Sequence, residues 1–172
     1  WPDNLLRIDD VLAIMFKVAK ALHYAHGRGV IHRDIKPSNI MLTLDNDVRI
    51  IDFGIALIKD SDISRIEGIA GSPSYMSPEQ IQSADITPRS DIYSLGAVMY
   101  ELLTGHRPFR ASNLNKLLHQ IVYASPAPLH TLRESISEDI ENVVMTALLK
   151  EPSKRFRSEE HTSELQSHHD LV

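Results

Sequence analysis

Two short polar runs carry residue types that could do chemistry. His32-Arg33-Asp34-Ile35-Lys36-Pro37-Ser38-Asn39 stands just before an apolar step, Ile40 to Leu42, and Asp52-Phe53-Gly54 stands just after a second, Val48 to Ile51. Asp34 offers a base for a hydroxyl and Lys36 a cation for a phosphate. Asn39 and Asp52 offer an amide oxygen and a carboxylate, which suit a hard cation such as Mg²⁺ that takes its other ligands from water and phosphate. In such a site Asp34 acts more by positioning the hydroxyl than by early proton removal.

The elements between these runs must bring them together. Asp45-Asn46-Asp47 is a turn between two short strands, so a small hairpin is expected, and a hairpin returns its ends to one place. Upstream, Leu12, Met15, Phe16, Ala19, Leu22 and Tyr24 recur at helical spacing, and Asp9 or Asp10 can cap a helix that runs to about His26. Gly27 and Gly29 are expected to stop it in a left-handed conformation. Leu57 to Pro78 is long and aperiodic, the kind of loop that is usually functional. Ser90 to Thr104 reads as a buried helix ended by Gly105, with Pro108 preventing its resumption. Asn113 to Tyr123 and Ser137 to Leu149 read as two amphipathic helices. The expected fold is mainly α with one small β-hairpin.

Composition narrows the rest. The 172 residues are 42% hydrophobic and 24% charged, ordinary for a globular chain with a real core. Eighteen Lys and Arg against 23 Asp and Glu give a net charge of −5, which excludes a strongly basic nucleic-acid surface. The longest apolar run, Val11 to Phe16, falls far short of the ~20 residues that span a bilayer. No cysteine is present, so disulfides, thiolate metal sites and cysteine nucleophiles are excluded, and a cytoplasmic location is expected. The chain opens at Trp1 without an initiator Met or secretory signal and reads as a fragment. Residues 157–172 differ from what precedes them: Arg157 to Ser167 resembles the in-frame translation of a sequencing-library adapter, and Asp170-Leu171-Val172 its continuation. This tail is kept out of the fold reasoning. Setting aside its four acids and Arg157 takes the net charge from −5 to −2.

Taken in order, the motifs resemble the eukaryotic-type serine/threonine protein kinase family, in its bacterial branch. H-R-D-x4-N fits His32 to Asn39, D-F-G fits Asp52 to Gly54, and Ser77-Pro78-Glu79 stands where the family carries A-P-E, with an activation segment between. Asp91 to Gly96 resembles the family's central buried helix, and Pro152 to Phe156 its late arginine segment. Ile51 to Ala56, Tyr75 to Gln80 and Glu101 to Gly105 resemble the bacterial branch. The resemblance covers about residues 5 to 156. It implies that residues 1–156 are the C-terminal lobe of an α+β catalytic domain whose N-terminal lobe is absent. Neither a G-x-G-x-x-G loop nor the strand lysine and helix glutamate that accompany it lie in the chain.

The resemblance implies roles for individual residues. Asp34 is the catalytic base and Lys36 steadies the γ-phosphate, a lysine at that place marking serine/threonine rather than tyrosine kinases. Asn39 and Asp52 are the Mg²⁺ ligands, with Mn²⁺ as a substitute. ATP binding extends to Ser38 and to Met41 beneath the adenine, although Met41 could also be plain core filling. His32 and Phe53 belong to a stacked apolar spine, the bland alternative for His32 being an ordinary core histidine. Gly54 is structural. Glu79 and Arg155 form a buried ion pair. Asp91 accepts backbone N–H groups of the catalytic loop, or simply caps a helix. Ser72 positions Asp34 and Lys36. Arg33 beside Asp34 implies control by an activation-loop phosphate, for which Ser61, Ser64, Ser72 and Ser74 are candidates and Ser64 is favoured.

The implied partners are ATP, protein substrates carrying Ser or Thr, and a second copy for self-phosphorylation in a dimer. No nucleic acid is implied, and any membrane anchor of the parent protein lies outside this chain. The 172 residues alone are expected to be inactive and to expose apolar surface. Two rival readings are a pseudokinase scaffold and an unrelated helical interaction module. The activation segment argues against small-molecule kinases.

Overall fold

The computed structural model describes residues 5–45, 47–53 and 73–157. The described chain is mostly helical, with one two-stranded antiparallel sheet. Helix α1 spans Ile8–His26, strands β1 and β2 span Ile40–Leu42 and Val48–Ile50, and helices α2 to α5 span Pro78–Ile81, Pro88–Thr104, Leu114–Tyr123 and Glu138–Ala147.

Helix α3 is the axis of the fold. Thirteen of its residues, from Ser90 to Thr104, are buried, so it is covered on every side rather than along one stripe. Helix α1 packs on one side of it and α5 on the other. Gly96 permits the closer approach: a Cβ there would stand 2.7 Å from the Cβ of Ala147 on α5. The core joins Leu12, Met15 and Leu22 of α1 to Leu95, Met99 and Leu103 of α3 and to Val144 of α5.

The ends of the helices follow local chemistry. Asn113 accepts from the Lys116 amide at the start of α4, and Ser137 from the Ile140 amide at the start of α5. Gly105 closes α3 in the left-handed conformation, at φ 72°. Three expectations need correction. Helix α1 begins two or three residues earlier than Asp9 or Asp10 as its cap would allow: Arg7 is the capping residue, and both aspartates lie in the first turn, where the helix dipole favours them. Gly27 stays right-handed at φ −62°, and only Gly29 takes a positive φ. Tyr24 is not a core residue; it is 62% exposed, with the Arg28 guanidinium 3.5 Å from its ring centroid.

The sheet pairs Ile40 with Ile50, Met41 with Arg49 and Leu42 with Val48. The Thr43 amide donates to the Asp47 carbonyl and closes the hairpin. Met41, Leu42 and Leu44 are exposed on it, so Met41 is not core filling. The loop expected from Leu57 to Pro78 lies outside the described residues as far as Ser72. Its end holds two short elements that the sequence reading missed, a 3-10 turn at Pro73–Tyr75 and helix α2. Among the described residues no helix is long and apolar enough to cross a membrane.

Candidate active site

The loop from His32 to Asn39 is anchored from beneath by Asp91, in the first turn of α3. The Asp91 side chain is buried, and its two oxygens accept from the backbone amides of His32 and Arg33, each at 2.8 Å. The capping residue of α3 is Thr87, so Asp91 is not the cap. His26, at the end of α1, also donates from Nε2 to Asp91 at 2.7 Å. A buried carboxylate is costly unless it is fully bonded, and three donors meet that requirement here. This pull accompanies a left-handed backbone at Arg33, φ 68°, a conformation rare for a residue with a Cβ.

His32 fixes the loop to the second polar run. Its ring is fully buried. Nε2 lies 2.9 Å from the carbonyl of Ile51, and the Asp34 amide donates to Nδ1 at 3.2 Å. A carbonyl can only accept and an amide N–H can only donate, so the ring carries its proton on Nε2. Phe53 packs edge-on against this ring, with centroids 4.6 Å apart.

The reactive groups stand above that base. Lys36 Nζ reaches Asp34 Oδ2 at 2.7 Å, with the Asp34 side chain half exposed. Asn39 is buried and donates both amide hydrogens to Asp34, one to its carbonyl at 2.8 Å and one to Oδ2 at 3.1 Å. That leaves Oδ1 as the side chain's remaining polar atom. Across the hairpin the Ile51 amide donates to the Asn39 carbonyl at 3.0 Å, which sets Asp52 beside the loop end. Asp52 is exposed, left-handed at φ 60°, and its carboxylate has no hydrogen bond or ion pair among the described residues. A free amide oxygen and an unengaged carboxylate fit a hard divalent cation. Among the described residues no three His, Cys, Asp or Glu side chains gather as a metal site, so two protein oxygens would have to share such an ion with water and phosphate.

Glu79 and Arg155 meet in a buried, two-pronged ion pair at 2.7 and 2.9 Å. Arg155 spends its other N–H groups on the carbonyls of Leu149, Arg89 and Lys150, so all five donors are used. Ser90 donates to Glu79 at 2.7 Å. Burial alone would raise the Glu79 pKa, but the hydrogen bonds from Arg155 and Ser90 outweigh it and hold the carboxyl below its ordinary value.

Gln80, next in sequence, links this pair to the loop: its amide nitrogen donates to the Arg33 carbonyl at 2.7 Å, and its Oε1 accepts from the Ser77 amide. Sequence reasoning missed Gln80 and His26, because neither differs in type or spacing from an ordinary surface residue. It also missed Tyr75, whose hydroxyl donates to Glu101 beside Arg107; burial and that carboxylate push its pKa up to about 12. Ser38 and the side chain of Arg33 are exposed, and Arg33 has no ion-pair partner among the described residues. Ser74 is buried against Arg107 and is poorly placed for modification. The assignments to Gly54, Ser61, Ser64 and Ser72 lie outside the described residues.

Comparison with known proteins decides the family. The protein kinase domain matches residues 3–168. The chain belongs to the protein kinase domain family. It is 40% identical over 158 residues to the serine/threonine-protein kinase PknB of Mycobacterium leprae, covering 91% of this chain and 25% of that protein. It is 39% identical over 150 residues to PknB of Mycobacterium tuberculosis, covering 86% and 24%. It is 36% identical over 164 residues to the serine/threonine-protein kinase Pkn1 of Myxococcus xanthus, covering 92% and 24%. The chain thus spans about a quarter of the length of the curated relatives it matches. Protein kinases use ATP and a divalent cation, and these relatives are bacterial serine/threonine kinases.

Proposed function

We propose that the protein carrying this chain transfers the γ-phosphoryl group of ATP to Ser or Thr hydroxyls of protein substrates, in the cytoplasm where ATP is supplied. Residues 1–156 are read as the C-terminal lobe of its catalytic domain, with 157–172 left outside it. The observation that carries this reading is the cluster of Asp34, Lys36 and Asn39, with Asp52 following Ile51, whose amide is bonded to the Asn39 carbonyl across the hairpin.

In this mechanism Asp34 accepts a hydrogen bond from the substrate hydroxyl and points its oxygen at the γ-phosphorus. As the new O–P bond forms, the bond to the ADP oxygen breaks and the hydroxyl proton passes to Asp34. Lys36 sits against Asp34 and offsets charge on the transferred group. Asn39 and Asp52 would hold Mg²⁺, or Mn²⁺ in its place, which would offset the charge of the phosphates. Ser38 and Met41 line the ATP side. Ser72 positions Asp34 and Lys36. Arg33, exposed and without a carboxylate partner among the described residues, is the group that a phosphate on Ser64 would neutralise, added by a second copy in a dimer; phosphopeptide mapping of active protein tests this. The exposed Met41 and Leu42 are where an N-terminal lobe would dock, and the 172 residues alone are expected to be inactive.

The test is Asp34→Asn in the longer protein, assayed for phosphate transfer to protein. A fall in kcat of about 10²–10⁴-fold is expected with the fold intact. Unchanged turnover would remove the catalytic reading, and loss of a binding partner alone would favour a scaffold.

A further inference from the structure

We propose that a cavity between the end of α1 and the start of α3 is a binding site for a phosphate group, separate from the ATP site. The cavity measures about 220 Å³ and is lined by His23, His26, Thr87 and Arg89, with Arg157 at its rim. It is far larger than the roughly 10–15 Å³ that one water requires.

Among the described residues, three buried polar atoms on this one wall lack a close partner: His26 Nδ1, Arg89 Nε, and Thr87 Oγ1, which makes only a loose capping contact with the Ser90 amide. The His26 side chain is 3% exposed, with Nε2 held by Asp91 and the other nitrogen left over. An unsatisfied buried polar atom is expensive, and three on one cavity mark a place where a ligand supplies the missing bonds. The electrostatics select an anion. Arg89 is the second residue of a 17-residue helix, so a cation stands at the positive end of the helix dipole, where it is disfavoured. Its guanidinium has no ion pair or hydrogen bond among the described residues. Among the described residues no carboxylate lines the cavity.

A phosphate meets each of these groups. Its oxygens accept from the Arg89 guanidinium and the Thr87 hydroxyl. His26 Nδ1 accepts from a phosphate hydroxyl, or donates to a bare oxygen if the ring is doubly protonated. The site stands independently of the catalytic reading. It lies one side chain from Asp91, which holds the amides of His32 and Arg33.

Two sources share this chemistry, free phosphate and a phosphorylated side chain. The ¹⁵N-labelled 172-residue chain is titrated with inorganic phosphate and with O-phosphoserine at constant ionic strength, following the His26 ring and the Thr87 amide by NMR. Saturable shifts are expected, weakened about tenfold or more in Arg89→Ala and Thr87→Val. Tighter binding of phosphate points to the free ion, and tighter binding of O-phosphoserine to a modified side chain. Because the Arg89 side chain is unpaired among the described residues, Arg89→Ala should leave the unfolding temperature of the free protein unchanged or raised, and phosphate should raise that of the wild type only. Arg89→Gln replaces it if the alanine variant does not fold. Absence of saturation with both probes, or equal binding in the variants, overturns the proposal.

Discussion

The layer beneath the catalytic loop and the rim above it solve opposite problems. Beneath, Glu79, Arg155 and Asp91 are buried, and their hydrogen-bonding capacity is spent on protein partners: five donors of Arg155, and three donors onto Asp91. Above, Asp34 is half exposed, Asn39 keeps one oxygen over, and Asp52 is left-handed and unengaged among the described residues. Stability is concentrated where nothing reacts, and unspent valence where something would. A rim of this kind holds its geometry only because the layer below over-determines it.

The largest effect should come from breaking the lower layer. Arg155→Met strands the Glu79 carboxylate in the interior and is expected to cost about 3–5 kcal/mol, read by denaturant or thermal unfolding. The same pair sets an acid limit. Because the Glu79 pKa lies below its ordinary 4.5 in the folded state, its contribution is complete above that value and is lost as pH falls from there through the lowered value. In Glu79→Gln that part of the acid loss should disappear.

Asp91→Asn comes next. It keeps the shape but turns one acceptor into a donor facing a donor, at a cost of about 1.5–3 kcal/mol. The His32 and Arg33 amides should lose protection from hydrogen exchange before the rest of α3 does. Equal loss along α3 would show that Asp91 serves the helix rather than the loop.

How much of this was legible in the sequence differs between the two layers for a physical reason. The rim was legible because its chemistry depends on residue types at short spacing, Asp34 to Asn39, and on a hairpin whose turn announces itself. Helix α3 was legible because a strongly apolar stretch of helical length that ends in glycine has few other uses. The underlayer was only half legible. Glu79 and Arg155 are 76 positions apart and came from family resemblance alone, while His26 and Gln80 left no pattern, since a contact between distant elements has no period. The start of α1 was misread because an aspartate serves a first turn as well as a cap.

Lys150 tests whether the lower layer is as fully compensated as it looks. Its ammonium donates to the Ile121 carbonyl and lies 4.1 Å from the centroid of the Phe109 ring. Burial, with Arg155 nearby, lowers its pKa to about 8. Between pH 8 and 10 the unfolded chain keeps this proton and the folded chain loses it, so stability should rise with pH; the full shift would be worth about 3 kcal/mol, and solvent screening of this half-buried group cuts the expected rise to about 1 kcal/mol. Lys150→Met should flatten that rise. A rise that persists in the variant would assign it elsewhere.

The smallest expected effect on stability is also the sharpest statement of the contrast. Asp34 and Asp52 lie on the exposed rim, and neither supports the core. Asp34→Asn keeps an acceptor for Lys36 and Asn39, and Asp52→Asn keeps a residue type that tolerates the left-handed region. Each should therefore change unfolding free energy by no more than about 0.5 kcal/mol, as surface substitutions do. On the proposed function, the same two changes in the longer protein should lower phosphate transfer by about 10²-fold or more. If either instead cost as much as Asp91→Asn, the rim would be part of the structural layer, and the division between holding and reacting would not run where Asp91 and Asp34 place it.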